Sequence, residues 1–384
     1  MIASILISSS LTLSSVGVGA LAALPSVPQS STRSDDANTG RVEITPAQEE
    51  AVARGLRWLA DHQSDNGGWA ASIGFKLHNS YKATAEGRGH VGVTGLAGMA
   101  FLAGGNLPGR GEYGEEVGHA LEFVLSCVQD DGYITYAGTR MYSHAFATLF
   151  LAEIYGMTHR EDVRIKLQRA VDFIVASQNG QGGWRYVPLA TESDMSIVVC
   201  QVLALRAARN IGIRVPADTI DRAIRYVVGS AVTEGQPSRI RGLPLSGDNP
   251  IGTFLYQPEG HSRSSFPLTA AGVTALHGLG VYSNELISKG VEYLHQNLKS
   301  FNHQWGRQGH YFFWYGHYYG VQAMYTQGGR DWEKYFTEVR AELLRLQFSD
   351  GSWPNSYGPG AAFSTATAVL ILEIPYCFLP IFQR

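Results

Sequence analysis

The chain has 384 residues, with 30 Lys and Arg against 33 Asp and Glu and a formal net charge of -3. Its basic residues are scattered, which excludes the clustered footprint of a nucleic-acid-binding protein. Apolar residues make up 45% and charged residues only 16%, below the roughly 25% usual in globular chains, so a well-buried core is expected and disorder is not.

Residues 1–23 are apolar, rich in Ser, Ala and Leu, and end in Gly19-Ala20-Leu21-Ala22-Ala23. A small-residue end of this kind is what a signal peptidase cuts, so export to the periplasm or beyond is expected, although the segment opens without Lys or Arg. Residues 24–44 are Ser-, Pro- and Asp-rich and read as a flexible linker. No later apolar run is long enough to span a bilayer.

From residue 45 to residue 384 the chain repeats itself. Gly55-Leu56-Arg57-Trp58-Leu59 is followed by Gln63 and Gly67-Gly68-Trp69. Ala170-Val171-Asp172-Phe173-Ile174 is followed by Gln178 and Gly182-Gly183-Trp184. Leu343-Leu344-Arg345-Leu346 leads into Gln347 and Gly351-Ser352-Trp353. Each Gln precedes its Trp by six residues. Degenerate copies run from Phe123 to Tyr133 and from Val291 to Trp305, and a sixth, without Gln or Trp, is implied between Ala217 and Gly229. Each copy ends an amphipathic helix: Val163, Leu167, Val171 and Ile174 recur at helical spacing, as do Phe336, Val339, Leu343 and Leu346. Thr45-Pro46-Ala47-Gln48 and Thr158-His159-Arg160-Glu161 have the form of helix starts.

Between the copies lie helices that are apolar nearly all round, at Val91–Leu102, Ala145–Tyr155, Ile197–Ala208, Leu268–Leu279, Trp314–Tyr325 and Thr365–Tyr376. A helix apolar on every face must be enclosed on every face. Six alternations of a half-exposed and an enclosed helix predict an all-α fold, an α/α toroid of six helical hairpins in one domain. Gln63, Trp69, Gln178, Trp184, Gln347 and Trp353 read as structural: Gly permits the turn, Trp brings apolar bulk with one N–H, and Gln satisfies free groups at a neighbouring helix end.

The Gln-to-Trp repeat resembles that of squalene and oxidosqualene cyclases, and the ring resembles the prenyltransferase/squalene-oxidase repeat superfamily, a terpenoid cyclase-like α/α toroid. Tyr142-Ser143-His144, Gly182-Gly183-Trp184-Arg185-Tyr186 and Leu379-Pro380-Ile381-Phe382-Gln383-Arg384 are similar to strings of exported bacterial proteins that carry a single toroid. The resemblance implies an acidic motif, Asp-x-Asp-Asp-Thr, at the start of an inner helix. Here Glu192-Ser193-Asp194-Met195-Ser196 stands in that place, with Asp194 as the middle carboxylate, Glu192 as the first and Met195 in place of the third. The zinc site of protein prenyltransferases is not expected, because no Asp-x-Cys is present. No metal and no cofactor are expected.

Residues just before the inner helices are therefore the candidates for a central cavity: Glu86 and His90; Arg140, Tyr142 and His144; Glu192 and Asp194; Glu259, His261 and Ser265; His310, Trp314 and His317; and Ser364. Asp194, Glu192 and His144 are candidate catalytic groups, and Tyr142, His90, His310, Trp314, His317 and Tyr318 candidate ligand contacts. Each has a plainer role open to it. Asp194 before an apolar helix is an N-cap, a place that lowers a carboxylate pKa. A histidine near an apolar face is ordinarily a hydrogen-bonded core residue, although His90, His144 and His310 on separate helices could also converge. The aromatic run Tyr311–Tyr319 either lines a cavity or packs between helices. Cys127, Cys200 and Cys377 carry no pairing or metal pattern.

Three functions fit these residues. One is binding or transformation of a hydrophobic small molecule or lipid, isoprenoid-like, in an aromatic cavity. The second is a carbohydrate-active toroid, which needs two facing carboxylates roughly 5–10 Å apart. The third is a non-catalytic interaction scaffold. Residues 236–267, rich in Gly and Pro and without clear periodicity, are expected to form a loop, and a loop of that length is a candidate lid.

Overall fold

In the computed structural model the described residues are 42–72, 88–240, 243–259 and 262–382. The expected signal segment, nearly all of the expected linker, Glu86 and His261 lie outside them.

Six helices form an inner ring: α2 (Val91–Ala103), α4 (Met141–Thr158), α6 (Met195–Asn210), α8 (Phe266–Gly278), α10 (Tyr311–Gln327) and α12 (Ala361–Glu373). Each packs on the next, and α12 packs back on α2, so the ring closes. The outer helices α1 (Pro46–Asp61), α3 (Gly114–Ser126), α5 (Glu161–Ala176), α7 (Ala217–Gly229), α9 (Glu285–Trp305) and α11 (Gly329–Leu346) lie against it. The fold is the α/α toroid that the alternating pattern predicts. Every residue of α2 is buried, whereas α5 buries only the stripe Val163, Leu167, Ala170, Val171 and Ile174. That contrast is what sorts the helices into two rings.

The repeat element has one geometry in its three full copies. The indole N–H groups of Trp69, Trp184 and Trp353 donate to the carbonyls of Leu59, Ile174 and Leu343, each at 2.8 Å. The Gln63 amide donates to Gly67 and to Glu116 of α3, Gln178 to Gly182 and to Thr219 of α7, and Gln347 to Gly351 and to Ala51 of α1. Each glutamine thus joins the end of one outer helix to the start of the next. Gly182 has a φ of +88°, and a Cβ there would lie 2.5 Å from the carbonyl oxygen of Arg222 in α7. Glycine lets the turn close against the next outer helix.

The structure differs from the sequence reading in three places. Thr158–Glu161 is not a capping box: α4 runs to Thr158, whose hydroxyl donates to Ile154, His159 turns the chain in a left-handed conformation with φ +56°, and α5 starts at Glu161 behind Arg160 with no side-chain cap. The start predicted at Thr45 does form, with its hydroxyl accepting from Gln48. Residues 236–267 are not simply a loop, since β1 (Gln236–Ile240) pairs antiparallel with β2 (Leu243–Asn249). Beyond this hairpin Gly252, φ +85°, lies against Lys289 of α9, and Phe254 is wholly buried with its N–H facing the Thr269 hydroxyl at 3.4 Å. Trp69 and Trp353 make the same contact with Thr94 and Thr365, each at 3.2 Å. Phe254 is therefore the sixth copy of the tryptophan position, displaced along the chain by the hairpin. Third, the last inner helix starts at Ala361 and stops at Glu373, with a 3-10 turn following at Ile374–Tyr376.

Candidate functional site

The starts of the inner helices all face one end of the ring, and four of the six are capped by side chains from the predicted set, while α4 and α12 have no side-chain cap. His90 accepts from the N–H of Val93, Ser265 from Leu268 and His310 from Phe312, while Asp194 Oδ1 accepts from Ile197 at 3.2 Å. Burial lowers His90 to about 4, against a backbone hydrogen bond. His90 and His310 are thus helix caps in the structure.

Two other candidates face away from the axis. His144 is buried between the rings, its Nδ1 accepting from the N–H of Ile134 at 3.0 Å and its ring against Tyr133 and Phe173 of α5. Burial lowers its imidazole to about 3, opposed by the carbonyl of Ala170. His144 stands where Thr94, Thr269 and Thr365 stand in other copies of the repeat. His317 lies 2.7 Å from Asn302 Oδ1 of α9 and 3.2 Å from the Tyr335 hydroxyl of α11, and burial lowers it to about 3. The Trp314 indole donates to the carbonyls of Gly309 and Pro354, each at 3.0 Å. His90, His144 and His310 are not brought together: no group of three or more His, Cys, Asp or Glu side chains converges among the described residues.

What opens on the axis is aromatic. Along α4 every residue from Met141 to Ile154 is buried except Tyr142 and Phe146, which are half-buried and one turn apart. On α10 Tyr311 and Tyr315 repeat that spacing, and Phe363 is half-buried near the start of α12. Outer helices cover one side of these helices and inner neighbours the flanks, so the half-buried stripes open inward. Tyr186 and Tyr256, in the segments leading to α6 and α8, are also half-buried, with their hydroxyls 2.6 Å apart. From their partial burial and their place on the axial side we read these side chains as the lining of a cup at the inner-helix starts.

Asp194 sits in its wall, wholly buried. Its Oδ1 accepts from the Ser196 hydroxyl at 2.5 Å, and Ser196 accepts from the Tyr142 hydroxyl at 2.7 Å. The Tyr315 hydroxyl donates to the Ser196 carbonyl at 3.2 Å. Among the described residues Asp194 Oδ2 has no hydrogen-bond partner, and Arg185 Nη1 lies 4.0 Å from it. Burial pushes the Asp194 carboxyl up to about 6, opposed by Ser196, Arg185 and the N–H of Ile197. Desolvation therefore outweighs the N-cap effect, and the group is an acid near neutrality rather than a fixed anion. The same burial holds Tyr142 and Tyr315 well above the ordinary phenol range. Glu192 is exposed, and Arg185 Nη1 lies 3.6 Å from its Oε2, so one guanidinium stands between the two carboxylates.

Sequence reasoning did not single out Ser196, Arg185, Tyr186, Tyr256, Tyr315, Phe146 or Phe363 individually. The i, i+4 aromatic pair Tyr142 and Phe146, at the start of a helix apolar on its other faces, is the signal that could have found the cup.

No family model matches the chain. Drimenyl diphosphate synthase of Streptomyces showdoensis is 30% identical over 168 residues, which are 39% of this chain and 31% of that protein. The chain thus spans under a third of that relative's length. An inactive variant of an α-1,6-mannanase of Salegentibacter, in complex with α-1,6-mannotriose, superposes with a TM-score of 0.59 at 9% identity, covering 85% of this chain and 98% of its own. Cellobiose 2-epimerase from Bacillus thermoamylovorans gives 0.58 at 13%, covering 86% and 98%. A variant of the type II terpene cyclase MstE from Scytonema, holding its substrate geranylgeranyl dihydroxybenzoate, gives 0.54 at 13%, covering 87% and 98%. At these identities the likeness is one of fold, shared by toroids that act on isoprenoids and on sugars.

Proposed function

We propose that this chain, a terpenoid cyclase-like α/α toroid, binds a hydrophobic, isoprenoid-like ligand in the aromatic cup and transforms it with Asp194 as proton donor. The observation that carries the reading is a single buried carboxyl, raised toward neutrality, linked through Ser196 to Tyr142 at the wall of a tyrosine- and phenylalanine-lined opening. Aromatic faces suit apolar burial and stabilise a cation by their quadrupoles. In the proposed step protonated Asp194 turns the two hydrogen bonds about, so that it donates to Ser196 and Ser196 to Tyr142; its proton then passes by way of these hydroxyls, each giving one up as it takes one, to an alkene carbon. The products are an Asp194 carboxylate, held by Ser196 and Ile197 with Arg185 nearby, and a carbocation facing the tyrosine rings. The apolar segment 1–23 supports export of the same chain.

The carbohydrate reading draws on Asp194 and Glu192 as a carboxylate pair and on the sugar-acting toroids of similar fold. Two features weigh against it: Arg185 stands between the two carboxylates, where a glycosidic bond would have to lie, and Glu192 faces solvent. The test is incubation with linear prenols and polyprenyl hydrocarbons, with products read by gas chromatography and mass spectrometry. Conversion that Asp194→Asn abolishes while ligand binding persists is expected. Cleavage or epimerisation of oligosaccharides, with no isoprenoid bound, would replace this reading with the carbohydrate one.

A further inference from the structure

The inner ring does not enclose a through-hole. α4 and α10 stand across it from each other, separated by α6 and α8 on one side and by α2 and α12 on the other. Even so, the rings of Phe146 and Tyr318 meet edge to face, with centroids 5.8 Å apart. Two more links cross from α10 to α6 past the intervening α8: Tyr315 to the Ser196 carbonyl, and the Tyr319 hydroxyl to Cys200 Sγ at 3.0 Å. Tyr318 and Tyr319 are buried and Phe146 is half-buried, so the axis is filled at this level and the cup has a floor. Beneath it Leu149 and Glu153 of α4 and Gln322 of α10 are buried. The chain end closes the far side, with a 3-10 turn at Pro380–Phe382 packed on α4 and α6 and the Ile381 N–H facing Glu153 Oε2 at 3.4 Å.

We infer that Phe146 and Tyr318 are positioning residues that stop an entering isoprenoid chain, so that its terminal double bond rests beside Tyr142 and the chain's remainder runs out toward Tyr186 and Tyr256. The inference rests on the isoprenoid reading and adds the register of the substrate to it. Phe146 lies four residues below Tyr142 on the same helix, a depth of about 6 Å at the helical rise. That is room for little more than one terminal isoprene unit. Truncating Phe146 removes a phenyl ring, about the bulk of one such unit, and deepens the cup by the same measure.

The test is calorimetric binding of geraniol, farnesol and geranylgeraniol to the wild-type chain and to Phe146→Ala, Tyr318→Ala and Phe363→Ala, each checked for cooperative thermal unfolding. Phe363 belongs to the wall, so Phe363→Ala is expected to weaken all three prenols alike. Phe146→Ala and Tyr318→Ala are expected to move the preference toward the prenol one unit longer, changing the affinity ratio of neighbouring prenols by about tenfold. If the floor variants weaken every length alike, as the wall variant does, the floor is overturned and the isoprenoid reading stands. If the wild-type chain binds none of the prenols, that reading falls and the floor falls with it.

Discussion

The backbone N–H of Asp194 donates to the carbonyl of Trp184 at 3.0 Å, as that of His90 donates to Trp69 at 2.7 Å. The repeat tryptophan and the N-cap of the following inner helix are thus one structural unit. In one repeat that unit holds a cap and nothing more, while in another it holds the carboxyl of the candidate site. Scaffold and site share a backbone hydrogen bond.

This linkage makes the repeat residues expensive to change. Trp184→Phe leaves the Ile174 carbonyl without its indole donor in a dry position, at a cost of about 1–3 kcal/mol. Gly182→Ala adds a Cβ at positive φ against the Arg222 carbonyl, a cost of roughly 2 kcal/mol or more. Urea unfolding of both variants measures these losses. Gln178→Ala, which frees the Gly182 and Thr219 carbonyls, is expected to fall between wild type and Gly182→Ala.

Asp194 gives the stability a pH dependence with a definite sign. Its folded pKa, about 6, lies above its ordinary value of 3.8, so the native state binds the proton more tightly than the unfolded chain. This contribution is fully present below about pH 4 and is lost as pH rises through about 6, amounting to about 3 kcal/mol. Asn at the same place keeps the cap without the charge. Asp194→Asn is therefore expected to be the more stable chain at pH 8 by up to that amount, and to lose most of the advantage at pH 4. Thermal melts at the two pH values read the difference.

Any proton-donating activity should follow the same group. Turnover is expected to be highest below pH 6 and to fall about tenfold per pH unit above it. Tyr142→Phe and Ser196→Ala interrupt the hydroxyl chain to Asp194 and should lower turnover by about 100-fold or more, with ligand binding changed far less. Equal turnover in Tyr142→Phe and wild type would mean that Asp194 reaches the ligand by another route.

At the far end of the ring, burial pushes Glu153 up to about 8 from an ordinary 4.5, opposed by the Ile381 N–H. Its contribution to stability is complete below about pH 4.5 and is lost as pH rises through 8. Glu153→Gln keeps an acceptor for Ile381 and removes the titration, so its stability should stay level between pH 6 and 9 where the wild type declines. Limited proteolysis of the chain end across that range is the direct readout.

The ring was legible in the sequence because enclosure leaves a mark on composition: α2 has no polar face, and α5 has one. The hairpin β1–β2 was not legible, because Gly and Pro mask its alternation, and for the same reason Phe254 was not seen as the sixth tryptophan position. Within the site, Asp194, Glu192 and Tyr142 stood out by their place at inner-helix starts. His144 and His317 stood out for the same reason, yet they turn to the outer ring, since the direction in which a helical side chain points depends on the phase of the helix and not on nearness to its start. Ser196 and Arg185 matter through hydrogen bonds and charge across segments, which spacing does not reveal. The closing of the axis by Phe146 and Tyr318 depends on which helices stand opposite, a property of the closed ring alone.

The central claim is that the cup takes an isoprenoid and not a sugar. Titration calorimetry of the wild-type chain with farnesol and, separately, with mannotriose tests it most directly. The account predicts saturable farnesol binding with a negative heat-capacity change, weakened at least tenfold by Tyr315→Ala, and no binding of mannotriose. Saturable binding of mannotriose, with farnesol giving no heat beyond dilution, would contradict it.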